Sequence, residues 1–110
     1  MKKAKEWIVG ICNTEADGVT VYKVTGTESQ VKRFLIQCVK EDKAQDGTWN
    51  YGSTKVSDIE CRYGGCLYAY GAYSNYHIDY EATPVDEVET FVLTKKTKKK
   101  EEADGRSKED

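Results

Sequence analysis

Thr27 and Gln30 stand three residues apart in front of an apolar stripe, and no other stretch of the chain constrains the fold as tightly. This is the spacing of a capping box: the threonine hydroxyl accepts from the amide three residues on, and the glutamine side chain reaches back to the cap. Val31, Phe34, Leu35, Cys38 and Val39 follow at i, i+3, i+4, i+7 and i+8, so they share one face of a helix, while Lys32, Arg33, Lys40 and Lys43 lie largely off it. A helix with one apolar face needs a layer to bury it against.

The sequence on either side supplies strands. From Glu6 to Asn13 the residues Trp7, Val9 and Ile11 alternate with Ile8, Gly10 and Cys12, which reads as a central strand covered on both faces. Asp17-Gly18 favours a turn, and Val19-Thr20-Val21-Tyr22-Lys23-Val24 alternates cleanly, so a hairpin is expected ahead of the helix. After Asp46-Gly47 the composition shifts to Tyr, Gly and β-formers. Arg62-Tyr63-Gly64-Gly65 then separates Val56 to Cys61 from Cys66 to Tyr70, and Gly-Gly supplies the positive φ of a tight turn, which predicts a second hairpin. Tyr76, Ile78 and Tyr80 fall on one face of the next strand, and His77, Asp79 and Glu81 on the other. The segment 84–93 reads either as a helical turn or as a closing strand.

The expected fold is therefore α+β: a mostly antiparallel sheet with one amphipathic helix packed on one face, in the order β-β-α-β-β-β. One domain, 1–94, is followed by a charged tail, 95–110, with too little apolar side chain to offset roughly 1 to 2 kcal/mol of backbone entropy per ordered residue.

The basic start is followed by an apolar run that stops at Gly10 and Asn13, too short for a secretory signal, and no stretch nears the roughly eighteen apolar residues of a membrane span. The cytoplasm is the expected location, without membrane contact. There Cys12, Cys38, Cys61 and Cys66 read as thiols, Cys12 and Cys38 buried, with Cys61 and Cys66 brought close by the Gly-Gly turn; whether that pair ever bonds stays open. CxxxxC is not a zinc spacing, and neither a metal nor another cofactor is expected.

Charge is unevenly spread. Residues 1–40 carry seven Lys/Arg against four Asp/Glu, residues 41–94 three against ten, and the tail seven against five. The acidic middle segment coincides with a run of tyrosines, Tyr63, Tyr68, Tyr70, Tyr73, Tyr76 and Tyr80, interleaved with Gly, Ser and Asn, which is the composition of binding loops. Tyrosine offers large contact area with little rotamer entropy to lose, although the same residues also fill strands on propensity alone. Tyr68, Tyr70, Tyr73, Asn75, Tyr76 and Asp79 are the candidate binding residues, with Tyr73 and Tyr76 expected to be exposed in a loop. An acidic surface repels phosphate, so the expected partner is a protein, with nucleic acid limited to weak contacts by the lysine tail. His77 is the one histidine, and Asp79, two residues on along the same face, can orient its imidazole, which makes the two candidate catalytic residues of a small hydrolase or nuclease. No nucleophile elbow, P-loop, dinucleotide-binding glycine pattern or HExxH pair occurs. Oligomeric state is not decided by the sequence.

Gly18 to Thr27, the helix, and the run Tyr68-Ala69-Tyr70-Gly71-Ala72-Tyr73-Ser74-Asn75-Tyr76-His77-Ile78-Asp79-Tyr80 together resemble small accessory proteins carried on phages and conjugative elements of Firmicutes. The resemblance spans most of residues 6–93 and brings no active site with it. It implies a setting in which small binders block host enzymes, and so a non-catalytic interaction module, with an anti-CRISPR-like, nucleic-acid-mimicking inhibitor of a defence nuclease as a sharper form.

Overall fold

The computed structural model describes residues 3–93, so the charged tail 95–110 lies outside the described residues. Six strands and one helix follow in the order β1 (Lys5–Asn13), β2 (Val19–Gly26), α1 (Glu28–Gln45), β3 (Trp49–Gly52), β4 (Glu60–Cys61), β5 (Leu67–Tyr73) and β6 (His77–Pro84). All pair antiparallel in one sheet of order β2-β1-β6-β5-β3, and β4 also pairs with β5. The fold is α+β with one helix on one sheet, as the pattern of periods predicts.

The helix begins as read. Thr27 Oγ1 accepts from the Gln30 amide at 3.2 Å and Gln30 Oε1 accepts from the Thr27 amide at 2.8 Å, which satisfies two of the donors a helix start leaves open. Val31, Leu35, Ile36 and Val39 are buried against Trp7, Val9, Leu67, Ala69, Ile78, Tyr80 and Ala82 of the sheet, with Phe34 and Cys38 at the margin. Each large side chain buried this way contributes roughly 1.5 to 3 kcal/mol. The Trp7 indole also donates to the Gly26 carbonyl at 3.0 Å, tying the central strand to the residue from which the chain enters the helix.

β1 is central, between β2 and β6, yet it is covered on one face only. Trp7 and Val9 are 1% and 0% exposed, whereas Ile8 and Gly10 are part-exposed and Cys12 is exposed, which corrects the expectation of cover on both faces and of a buried Cys12. The chain has a single helix among its described residues, and that helix covers one side of the sheet.

The second hairpin is shorter than expected. Asp58 Oδ2 accepts from the Thr54 and Lys55 amides at 3.0 and 3.1 Å, which curls Val56–Asp58 into a 3₁₀ turn and leaves only Glu60–Cys61 to pair as β4. Gly64 and Gly65 do take positive φ, 76° and 80°. β3 and β4 share the outer edge of β5, end to end. Gly52 in β3 is required there, because a Cβ would stand 2.4 Å from the Tyr70 carbonyl oxygen and 2.5 Å from the Trp49 ring. After Pro84 the chain makes a 3₁₀ turn, Val85–Glu87, and residues 88–93 form no regular element, so the closing strand is absent from the described residues.

Candidate functional site

The alternation of β5 and β6 sends their residues to opposite fates. Tyr80, Ile78 and Tyr73 point under the helix, exposed by 0%, 4% and 4%, while Tyr68, Tyr70, His77, Asp79 and Glu81 fall on the uncovered side, with Ile8, Gly10 and Cys12 of β1 and Val19 and Val21 of β2. Val19 and Val21 are about three-fifths exposed, at 59% and 61%. Strand β2 follows the same alternation, so the face continues to the edge of the sheet.

An aromatic array runs along one end of this face. The Tyr70 ring lies 6.3 Å from Tyr68 and 6.1 Å from Tyr51 of β3, and stacks on the His77 imidazole at 5.5 Å. Beyond Tyr68 the Arg62 guanidinium sits 3.7 Å over the ring while its Nε donates to Glu60 Oε1 at 3.1 Å, which reinforces its charge. The Ser53 hydroxyl accepts from the Tyr70 amide at 3.1 Å and the Ser53 amide donates to the Tyr70 carbonyl at 2.8 Å, so the backbone beneath the array is held from the edge strand.

Asp79 joins two members of the array. Tyr68 Oη donates to its Oδ1, and His77 Nε2 lies 3.3 Å from its Oδ2. Burial, then the hydrogen bond to Asp79, push the Tyr68 phenol well above the usual tyrosine value, and burial followed by the neighbouring Tyr51 pushes Tyr70 up as well. Both phenols are neutral donors at physiological pH. The His77–Asp79 pairing read from the sequence is thus real, but its setting is open: the His77 and Asp79 side chains are 41% and 37% exposed. A shallow depression of about 310 Å³ on the same face is lined by Ile8, Gly10, Cys12, Val19, Asp79, Glu81 and Thr83, and not by His77.

Tyr73 and Tyr76 were expected to be exposed, and the structure corrects this. The two rings stack 4.6 Å apart and nearly parallel, the Trp49 edge meets Tyr73 at 5.5 Å, and Tyr76 Oη donates to Asp46 just past the helix end. Aromatic packing against the helix end draws both rings inward and leaves Ser74 and Asn75 exposed at the hairpin tip. Of the six candidate binding residues, Tyr68, Tyr70 and Asp79 meet on the open face, while Tyr73, Tyr76 and Asn75 belong to the hairpin end.

Tyr51, Arg62, Val19 and Val21 are not among the candidates the sequence offers, and Tyr63 belongs to the tyrosine run without being a candidate binding residue. Tyr63 is 97% exposed at the tip of the Gly-Gly turn and Tyr51 is 63% exposed. Val19 and Val21 carried a signal, since they alternate with Tyr22 and Val24, but choosing which set faces water requires knowing which side the helix takes.

All four cysteines are free thiols. Cys61 stands opposite Leu67 in the ladder, and Cys66 Sγ lies 3.6 Å from Thr83 Oγ1. Among the described residues no group of three or more His, Cys, Asp or Glu side chains gathers to hold a metal ion, and no helix is long and apolar enough to cross a membrane. These features describe a class of small α+β protein with a sheet covered by one helix and an aromatic, mixed-charge face on the other side. Comparison with protein-family models, curated proteins and solved structures finds no match to this chain.

Proposed function

We propose that the chain is a non-catalytic protein-interaction module whose docking surface is the uncovered face of the sheet, centred on Tyr51, Tyr68, Tyr70 and Asp79. The observation that carries this reading is the aromatic array itself: neighbouring rings on a backbone held by β-pairing, on the side of the sheet that the helix leaves uncovered. Rigid aromatic groups of this kind supply the few side chains that dominate binding energy in protein interfaces.

The partner's contact segment is cationic. Arg62 already shows how the array receives a guanidinium, stacked on Tyr68 with a carboxylate alongside. A partner arginine laid on Tyr70 or Tyr51 would gain about 0.5 to 2 kcal/mol from the ring, and Asp79 and Glu81 stand on the same face. On this reading the setting is that of a mobile-element accessory protein binding a host or element protein. Mimicry of nucleic acid is a less favoured form, because the Arg62 cation stands within the array, and three of the ten acids of residues 41–94, Asp42, Asp46 and Asp58, serve structural contacts elsewhere. An enzyme built on His77 and Asp79 is the less favoured reading, because the two side chains lie open to solvent on this face, 41% and 37% exposed.

The test is capture of the partner from bacterial lysate by wild type and by a Tyr51→Ala/Tyr70→Ala variant, with Tyr22→Ala, altered on the helix side of β2, as control. Loss of one specific protein in the double variant only, with circular dichroism unchanged and with recovery falling as salt rises, supports the proposal. Equal recovery by a well-folded double variant refutes it.

A further inference from the structure

On the helix side of the molecule, away from the uncovered face, a groove runs between α1 and the chain just after β3. Arg33, Ile36, Gln37 and Lys40 line it from the helix, and Thr54, Lys55 and Val56 from the opposite wall, enclosing about 360 Å³. Arg33, Gln37 and Lys40 fall at i, i+4 and i+7, so the helix presents them as one stripe. No carboxylate is among the lining residues.

The cations of this region divide into two sets. Lys32 pairs with Glu28 at 3.3 Å, and Lys43 lies 5.1 Å over the Trp49 ring, so the helix cations outside the groove are engaged. Arg33, Lys40 and Lys55, the three that line the groove, have no ion pair or ring contact among the described residues. The acids nearby in sequence are held by other donors: Glu41 accepts from Gln37 Nε2 at 3.0 Å, and Asp58 accepts from the Thr54 and Lys55 amides at 3.0 and 3.1 Å. The Asp58 contacts also shape the wall, because they fix the turn that presents Lys55 toward the helix.

We propose that this groove is a binding site for a small phosphate-bearing ligand, a nucleotide-sized phosphate monoester. Three cations without an ion pair among the described residues line one volume, and a guanidinium fork with two ammonium groups matches the oxygens of a phosphate group. Thr54 adds a hydroxyl beside it. Ile36, buried at the floor, and Val56, 43% exposed on the wall, offer apolar surface to the organic body of the ligand. The volume sits at the small end of ligand pockets, roughly 300 to 1,000 Å³, which suits one phosphate and one ring system rather than a polymer strand. The site is independent of the protein-docking face and stands whether or not that proposal does.

The test is titration of the ¹⁵N-labelled protein with adenosine 5′-monophosphate, inorganic phosphate, uncharged adenosine and a short single-stranded oligonucleotide. Saturable shifts confined to residues 33–40 and 54–56 are expected with the monophosphate, weaker ones at the same residues with inorganic phosphate, and none with adenosine. A Lys40→Glu/Lys55→Glu variant should weaken monophosphate binding at least about tenfold, equivalent to about 1.4 kcal/mol, while Lys23→Glu, on a distant strand, leaves it unchanged. The altered side chains are exposed, so an unchanged helical signal will show that the fold is kept. The proposal is overturned by the absence of a saturable shift up to about 10 mM monophosphate, by shifts scattered over all surface lysines, or by undiminished binding in the double variant. Binding of the oligonucleotide without the monophosphate overturns it in favour of a nucleic-acid surface.

Discussion

Tyr76 Oη donates a hydrogen bond to the Asp46 carboxylate across thirty positions of sequence, fastening the β5–β6 hairpin to the end of α1. The Asp46 amide donates to the Lys43 carbonyl at the helix end, and its carboxylate also accepts from the Thr48 amide and hydroxyl at 2.9 and 2.8 Å, so one residue serves the helix end, the following turn and the hairpin. Tyr76 in turn stacks on Tyr73, which lies in the core.

Removing that phenol should therefore be read at the carboxylate. The Tyr76 hydrogen bond is the largest of the influences that hold Asp46 below the usual aspartate value, ahead of the two from Thr48. A depressed carboxyl stabilises the fold above the unfolded value, near 3.9, and that contribution fades as pH falls through the lower folded value. Tyr76→Phe should move the Asp46 titration upward in a carboxyl-carbon NMR experiment and narrow the acid range over which the fold persists. An unmoved Asp46 titration would show that the phenol does not engage the carboxylate in solution.

At alkaline pH the sign is opposite. Tyr68 and Tyr80 are raised by burial and then by their bonds to Asp79 and Asp42, and Tyr76 is raised chiefly by Asp46. A phenol with a raised folded value stabilises the native state fully below its unfolded value, about 10, and the contribution is lost as pH climbs toward the folded value, because the unfolded chain releases protons first. Urea midpoints should be insensitive to these phenols up to about pH 10 and fall beyond it. Ultraviolet titration should show a late group of tyrosines that ionise only as the circular dichroism of the fold disappears. Complete ionisation of all eight tyrosines with the fold intact would contradict this.

Much of the architecture was legible because it rests on local periods. The Thr27–Gln30 box, the stripe from Val31 to Val39 and the strict alternation from Tyr76 to Glu81 each state their own structure, and the succession of hairpin, helix and further sheet follows, although the short strand Trp49–Gly52 adds a fourth strand after the helix to the three expected. The site was legible only in part. Alternation says that Tyr68 and Tyr70 share a side of β5, and that Ile8 and Cys12 share a side of β1, but not whether a second layer covers that side. Tyr73 and Tyr76 were read as exposed because Ser74-Asn75 marks a loop; the partner that draws them inward, Asp46 with Trp49, is remote in sequence and has no short-range signature. The basic groove brings helix positions 33–40 against 54–56, a juxtaposition that only the tertiary fold creates.

The cysteines offer a direct check on which faces are covered. Cys12 and Cys61 are exposed, Cys66 is half-buried beside Thr83, and burial against the helix margin, aided by Glu41 and Asp42, pushes the Cys38 thiol up to about 11. The thiolate is the reactive form, so Cys38 should be the slowest of the four toward a disulfide reagent near pH 8, with Cys12 and Cys61 fastest. Mass spectrometry of partially labelled protein assigns the order. Rapid labelling of Cys38, or protection of Cys12, would mean that the helix and the open face have been assigned to the wrong sides of the sheet.

Two tyrosines buried under the same helix should respond in opposite ways to loss of a hydroxyl. Tyr80 is 0% exposed and its Oη donates to Asp42 Oδ2 at 2.6 Å, so the bond is short and its acceptor is charged. Tyr80→Phe removes the donor and leaves the Asp42 carboxylate with less compensation, at a cost of about 1.5 to 3 kcal/mol. Tyr73 Oη is buried and has no hydrogen-bond partner among the described residues, while its ring is held by Trp49 and Tyr76. A buried hydroxyl without a partner carries a desolvation cost, and Tyr73→Phe relieves it with the ring packing intact, so the variant should match or exceed wild type by up to about 1 kcal/mol. Equilibrium urea unfolding of the two single variants measures both. Destabilisation by Tyr73→Phe comparable to that by Tyr80→Phe would reveal a partner for the Tyr73 hydroxyl in solution, and would make that hydroxyl a structural hydrogen bond of the core.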